Sequence, residues 1–241
     1  MMKHWLLLDT DRVPVLGLKK QIIILLEFEV RHMEQQIIAM LQLQDEMNKK
    51  VHPDWREQNF AWYRAIWIES AELIDHYGWK WWKKQTPDMH QITLELVDIW
   101  HFGLSLSLIE RESLDESASI LHHDLCDPLP SREFCLDIED FAANTLKTKR
   151  FDAKRFGRLM SDIEMTFESL YISYVGKNVL NFFRQDHGYQ DGTYKKIWGD
   201  KEDNEVLVEI IERLDSTSAS FRNDLYRQMQ DEYSLLSNCN R

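Results

Sequence analysis

Apolar positions along this chain recur at intervals of three and four, with few stretches of alternation. Across residues 19–47 they fall at Ile22, Leu25, Leu26, Met33, Ile37, Met40 and Leu41, the spacing of an amphipathic helix or a broken pair of helices. His52-Pro53-Asp54 ends that pattern, because proline pushes its predecessor out of helical geometry. A second helix is predicted over about 58–77, stopped by Gly78. The aromatic and basic string Trp79-Lys80-Trp81-Trp82-Lys83-Lys84 follows and is closed by Thr86-Pro87-Asp88. Asp88 is the expected N-cap of a third helix over 89–110. Residues 111–150 are less periodic; Asp127-Pro128-Leu129-Pro130-Ser131 breaks them, and helical spacing resumes over 134–146. One helix is predicted over 156–185, a loop over 186–203, and one helix over 205–229 through Val206, Leu207, Ile210, Ile211 and Leu214. No repeat, low-complexity tract or linker divides the chain. The expectation is a single all-α domain over 1–241, a compact helical bundle with a loop in its C-terminal part.

Composition narrows the class. Eight glycines and five prolines in 241 residues are too few for an all-β chain with many tight turns. The net charge of −12 argues against nucleic-acid polymers as partners, since that binding draws on cationic surface. Cys126, Cys135 and Cys239 form no CxxC pair and are odd in number, which fits a reducing compartment better than a disulfide framework. Trp5 to Leu8 is too short for a signal peptide, and the apolar run from Ile22 to Leu26 is far below the roughly 18 residues of a membrane span. A cytoplasmic protein with no membrane partner is expected.

Two segments carry candidate chemistry. Glu69-Ser70-Ala71-Glu72 and Glu95-Leu96-Val97-Asp98 each place two carboxylates at i and i+3, on one face of a helix. Each lies among apolar neighbours, such as Ile66, Trp67 and Leu73 in one and Leu94, Ile99 and Trp100 in the other. Clustered carboxylates repel, and in apolar surroundings they lose solvation. A divalent cation between the helices removes both penalties, and magnesium suits an all-oxygen donor set, with two or more ions sharing the four acids. The alternative is two ordinary solvated helix faces. Asp98 and His101 also stand at i and i+3, as in di-iron bundles, but those use paired Glu-x-x-His motifs and this chain has none.

Further on, Lys177, Asn181 and Arg184 fall at i, i+4 and i+7, one helical stripe of two cations and an amide suited to an oligophosphate. Lys195, Lys196 and Lys201 lie in the following glycine-containing loop, where closure over phosphates is useful. A solvated basic face with a self-packed loop is the plainer reading.

Glu69-Ser70-Ala71-Glu72-Leu73-Ile74-Asp75, the Trp79-Lys80-Trp81-Trp82-Lys83 string and Glu95-Leu96-Val97-Asp98-Ile99-Trp100-His101-Phe102 resemble the dimeric all-α dUTP pyrophosphatases, within the wider all-α NTP pyrophosphohydrolase group. So do Gly176-Lys177-Asn178-Val179-Leu180-Asn181-Phe182-Phe183-Arg184-Gln185, the stretch from Gly188-Tyr189 through Tyr194-Lys195-Lys196-Ile197-Trp198, and Glu202-Asp203-Asn204. The resemblance implies a metal and base side over 36–110, a variable middle over 111–160 and a phosphate side over 161–210. It implies hydrolysis of dUTP, and also dUDP, to dUMP, with Glu69, Glu72, Glu95 and Asp98 on Mg2+ and Glu69 orienting and deprotonating the attacking water. For the nucleotide it implies Gln44, Asn48 and Trp82 at the base, His101 and Asn204 at the sugar or ring, and Lys177, Asn181, Arg184, Tyr189, Lys195 and Lys196 around the phosphates. A homodimer is implied too, in keeping with nine tryptophans, more apolar surface than one bundle buries. Broader dNTP hydrolysis (dCTP or damaged nucleotides) and a catalytically dead helical interaction protein are the alternatives. Neutralising Asp98 is expected to cost orders of magnitude in turnover while holding or raising metal-free stability.

Overall fold

The structure is a computed structural model that describes residues 15–218 and 220–239, with side chains described over 29–218 and 220–235. The run Trp5 to Leu8 and the side chains of Ile22, Leu25, Leu26 and Cys239 lie outside the described residues. Helices dominate, in the order α1 (Val15–Val51), α2 (Trp62–Tyr77), α3 (Met89–Glu110), α4 (Leu114–Cys126), α5 (Phe134–Thr148), α6 (Ala153–Asp162) and α7 (Phe167–Asp186). A two-residue hairpin follows, β1 (Ile197–Trp198) paired antiparallel with β2 (Lys201–Glu202), and then α8 (Asp203–Arg213) and α9 (Phe221–Cys239). The fold is all-α.

α3 is the axis of the bundle. Ile92, Leu96, Val97, Ile99, Trp100 and Leu104 are fully buried, so apolar residues occupy almost every direction around it, and α1, α2 and α7 pack against it. Its start is fixed by Asp88, whose side chain accepts from the Gln91 N–H at 3.2 Å, as the sequence predicts. α2 ends where Gly78 adopts φ +94°, a conformation that suits glycine. The α1 stripe Ile37, Leu41, Gln44 and Asn48 faces inward along its whole length. The buried face therefore changes from apolar to amide toward the helix C-terminus, and α1 is one continuous helix.

Three element boundaries differ from those the spacing predicts. α4 lies in the stretch that reads as aperiodic, because its buried stripe, Ser117, Ala118 and Leu121, is small and partly polar. The single helix expected over 156–185 is divided into α6 and α7: Glu164 takes a left-handed φ of 57°, and Thr166 caps the new helix by accepting from Ser169 N–H at 3.1 Å. Apolar residues on both sides keep the helical period and hide that break. The helix expected over 205–229 is likewise divided, where Asp215 folds onto the Thr217 N–H at 3.0 Å, a local bond that competes with helix.

α3 also meets the α5–α6 connection with no space to spare. A methyl at Gly103 would stand 2.7 Å from two ring carbons of Phe151, which is itself fixed against Trp100, Phe141 and Phe156. Overpacking of this kind costs about 1–3 kcal/mol, against about 1 kcal/mol gained by alanine in a helix. Gly103→Ala is expected to lower Tm by a few degrees in thermal unfolding; an unchanged or raised Tm contradicts the close packing.

Candidate active site

Helical periodicity brings three polar stripes to one cavity of about 700 Å³. On α2 the stripe is Glu69, Glu72 and His76; on α3 it is Gln91, Glu95, Asp98 and Phe102; on α7 it is Lys177, Asn181 and Arg184. Tyr189, Lys196 and Glu202 from the α7–α8 connection and Asn204 from the first turn of α8 add to the wall. The stripes on α2 and α3 converge because the adjoining stripes, with Ile66, Ser70 and Leu73 on α2, are buried between the two helices.

The acids form a compact cluster. Carboxylate oxygens of Glu69, Glu95 and Asp98 all lie within 4.8 Å of one another, and so do one donor atom each from Glu72, His76 and Glu95. Glu95 is 7% exposed and belongs to both groups. Burial, then the negative charge of Asp98, then a hydrogen bond to Glu95 push the Glu69 carboxyl up to about 9. Burial also raises Glu95. Without a cation the cluster therefore holds a proton at neutral pH, since charged oxygens this close cannot all ionise. A donor set of oxygens that must otherwise recruit a proton fits a divalent cation.

The opposite wall is already paired. Lys177, 3% exposed, sets its Nζ 2.9 Å from Asp98 Oδ2 and 3.0 Å from Asn204 Oδ1. Arg184 uses Nε and one terminal nitrogen for a buried two-pronged pair with Asp203, each contact at 2.8 Å, and its other terminal nitrogen reaches Asn181 Oδ1 at 3.3 Å. Asp203 in turn accepts from the Tyr194 hydroxyl at 2.8 Å. The loop behind is held by α9, where Tyr233 accepts from the Lys195 N–H at 3.2 Å and stacks on Tyr194. One expectation changes here. Asp98 is the counter-ion of a buried ammonium, so Asp98→Asn would strand Lys177 and lower metal-free stability rather than hold or raise it.

Gln44, Asn48 and His101 are brought together, but behind the cavity. Gln44 donates to Asn48 Oδ1 at 2.9 Å and to Ser105 Oγ at 3.1 Å, and Asn48 donates to Ser105 Oγ at 3.0 Å. His101 Nδ1 donates to Gln44 Oε1 at 2.8 Å, which leaves Nε2 buried and without a partner among the described residues. Burial lowers the His101 pKa to about 4, so the ring is neutral. Met47 and Phe102, their neighbours on α1 and α3, face the cavity instead. Trp82 is 57% exposed, edge-on to Trp79 and Trp81, and neither Trp82 nor the exposed Lys195 lines the cavity. His76, Gln91 and Asp203 escaped sequence reasoning. The first two share helical stripes with the acids, at i+4 from Glu72 and i−4 from Glu95, and that periodicity is the signal that finds them.

An all-helical bundle that faces clustered carboxylates with lysine, amide and arginine across one cavity belongs to the class of all-α phosphate-handling enzymes. The family model for dUTPase matches residues 36–189, a span that holds the four acids and Lys177, Asn181 and Arg184, and the chain belongs to the dUTPase family. It is an enzyme that hydrolyses dUTP, and dUTPases work with a divalent metal. No curated protein sequence matches the chain.

The Glu69 proton makes metal-free stability depend on pH. A carboxyl raised from the ordinary 4.5 to about 9 on folding stabilises fully below the lower value, and that contribution is lost as pH rises through the upper one. With chelator present, Tm is expected to fall from about pH 5 to about pH 9. Glu69→Gln should flatten that fall and raise Tm at the alkaline end. The same slope in both proteins contradicts the shared proton.

Proposed function

We propose that the chain converts dUTP and water to dUMP and pyrophosphate with magnesium, and accepts dUDP with release of phosphate. The observation that supports this best is the cluster of Glu69, Glu95 and Asp98 joined through the Asp98–Lys177 contact to a basic, amide-bearing wall. Glu69, Glu72, Glu95 and Asp98 hold the cation, which when bound neutralises triphosphate charge and acidifies water. Once the cluster is compensated, Glu69 gives up its own proton and is free to accept one from the attacking water. Lys177 and Lys196 present ammonium groups to the leaving phosphates, and Asn181 and Tyr189 add hydrogen bonds. Asp203 keeps the plane of Arg184 fixed while a terminal nitrogen stays toward Asn181. Gln44, Asn48 and His101 serve the base and sugar, with the bare His101 Nε2 as an acceptor, and Trp82 closes over the base from the α2–α3 connection. Opening of the amide network and movement of Trp82 accompany binding.

We also propose a cytoplasmic homodimer. Trp67 and Ile68 on α2 and Trp79, Trp81 and Trp82 just after it are exposed, Trp81 by 90%, and exposed apolar surface of this kind marks an interaction face.

A nucleotide panel on purified protein with Mg2+ tests the reading, together with the sedimentation mass of the same preparation. dUTP should be turned over far faster than UTP or dCTP, with pyrophosphate released, by a species near twice the 28.9 kDa chain. Glu95→Gln should lower kcat/KM by roughly two orders of magnitude or more, since even outer-shell changes at metal sites cost roughly 10–100-fold. Comparable turnover of dCTP or UTP favours the broader dNTP activity, and no turnover of any nucleotide by folded protein favours the inactive interaction protein.

A further inference from the structure

His76 stands apart from the acids around it. It follows Glu72 by one helical turn, and its Nε2 lies 3.4 Å from Glu95 Oε1, across the junction of α2 and α3. The backbone there is held firmly: the His76 carbonyl accepts from the Asp88 N–H at 2.9 Å, which ties the end of α2 to the start of α3. The ring opens to the cavity, and among the described residues no acid, amide or carbonyl other than Glu95 is bonded to it. Glu95 is more than nine-tenths buried, yet among the described residues no lysine or arginine pairs with it. Within 4.8 Å of its carboxylate stand His76 and three other carboxyls, Glu69, Glu72 and Asp98, and the charge of Lys177 acts on it without a direct ion pair.

Two donor groups thus share Glu95 but differ in chemistry. Glu69, Glu95 and Asp98 offer oxygen only, while Glu72, His76 and Glu95 offer oxygen and an imidazole nitrogen. Hard magnesium prefers oxygen and keeps its waters, whereas imidazole suits first-row transition cations. We propose that Glu72, His76 and Glu95 form a second cation position with a nitrogen ligand, which takes a first-row transition cation in preference to magnesium. The proposal rests on reading the acidic cluster as a divalent-cation centre. Glu95 bridges the two positions, so the cation at one alters the charge felt at the other.

Mn2+ alone, added to the full chain, tests this by pulsed electron paramagnetic resonance and by titration of binding. The wild type should show nitrogen-14 modulation from a coordinated imidazole, and His76→Ala should lose it. Mn2+ affinity should fall about tenfold or more in that variant, while Mg2+ affinity, read by competition, changes far less. His76→Gln, which keeps size and hydrogen bonding, should behave like His76→Ala and guards against loss of fold, checked by circular dichroism. Nitrogen modulation that persists without His76, or equal weakening of Mn2+ and Mg2+, overturns the nitrogen position and leaves the oxygen centre standing. Absence of any Mn2+ or Mg2+ binding to folded wild type overturns the cation-centre reading itself.

Discussion

Apolar faces of α2 and α3 pack so closely that carboxylates on the adjoining stripes are forced within 4.8 Å of one another, and the rest of the site answers to that proximity. Glu95 sits at the crowded centre, buried and, among the described residues, without a lysine or arginine paired to it. The protein meets the repulsion in three ways. Glu69 keeps a proton, Lys177 leans onto Asp98, and His76 stands against Glu95. The Glu69 proton and the Lys177 ammonium are partial substitutes for a cation, and a divalent cation would relieve the repulsion that they offset. The free energy that α2–α3 packing supplies is what holds this unfavourable arrangement in place.

The α7 wall meets the same cluster through the Lys177–Asp98 ion pair. Because Lys177 pairs with Asp98 at 2.9 Å and with Asn204 at 3.0 Å, the charge state of the acids is felt by α7 and by the start of α8. The neighbouring Arg184–Asp203 pair is more rigid, since both partners are buried and Tyr194 adds a third bond. One cation of the stripe is therefore held in place by the fold, and the other is tied to the acids. In the proposed reaction, substrate phosphates would compete with Asp98 for Lys177.

Much of this was legible in the sequence, and the remainder was not for identifiable reasons. Glu69, Glu72, Glu95 and Asp98 announced themselves because acids at i and i+3 inside apolar runs are costly unless compensated. The start of α3 could be placed to the residue, because Asp88 supplies its cap. Gln44 and Asn48 lie on the spacing of the buried α1 stripe, yet amides there read equally as an exposed face until Ser105 and His101 are seen to satisfy them. The Arg184–Asp203 pair joins residues on different elements, and spacing along one helix carries no record of it. The breaks after α6 and α8 were hidden because apolar residues on both sides keep a common period while a single left-handed residue or a side-chain turn interrupts the backbone.

The carboxylate cluster is expected to trade a proton for a divalent cation. Calorimetric titration of the full chain with Mg2+ at neutral pH, repeated in buffers of different ionisation enthalpy, counts the protons released per ion bound. About one proton per protein should leave the cluster as the cation enters, because a carboxyl held near 9 must ionise to act as a ligand. Binding of Mg2+ with no proton released would mean that the cluster holds no such proton.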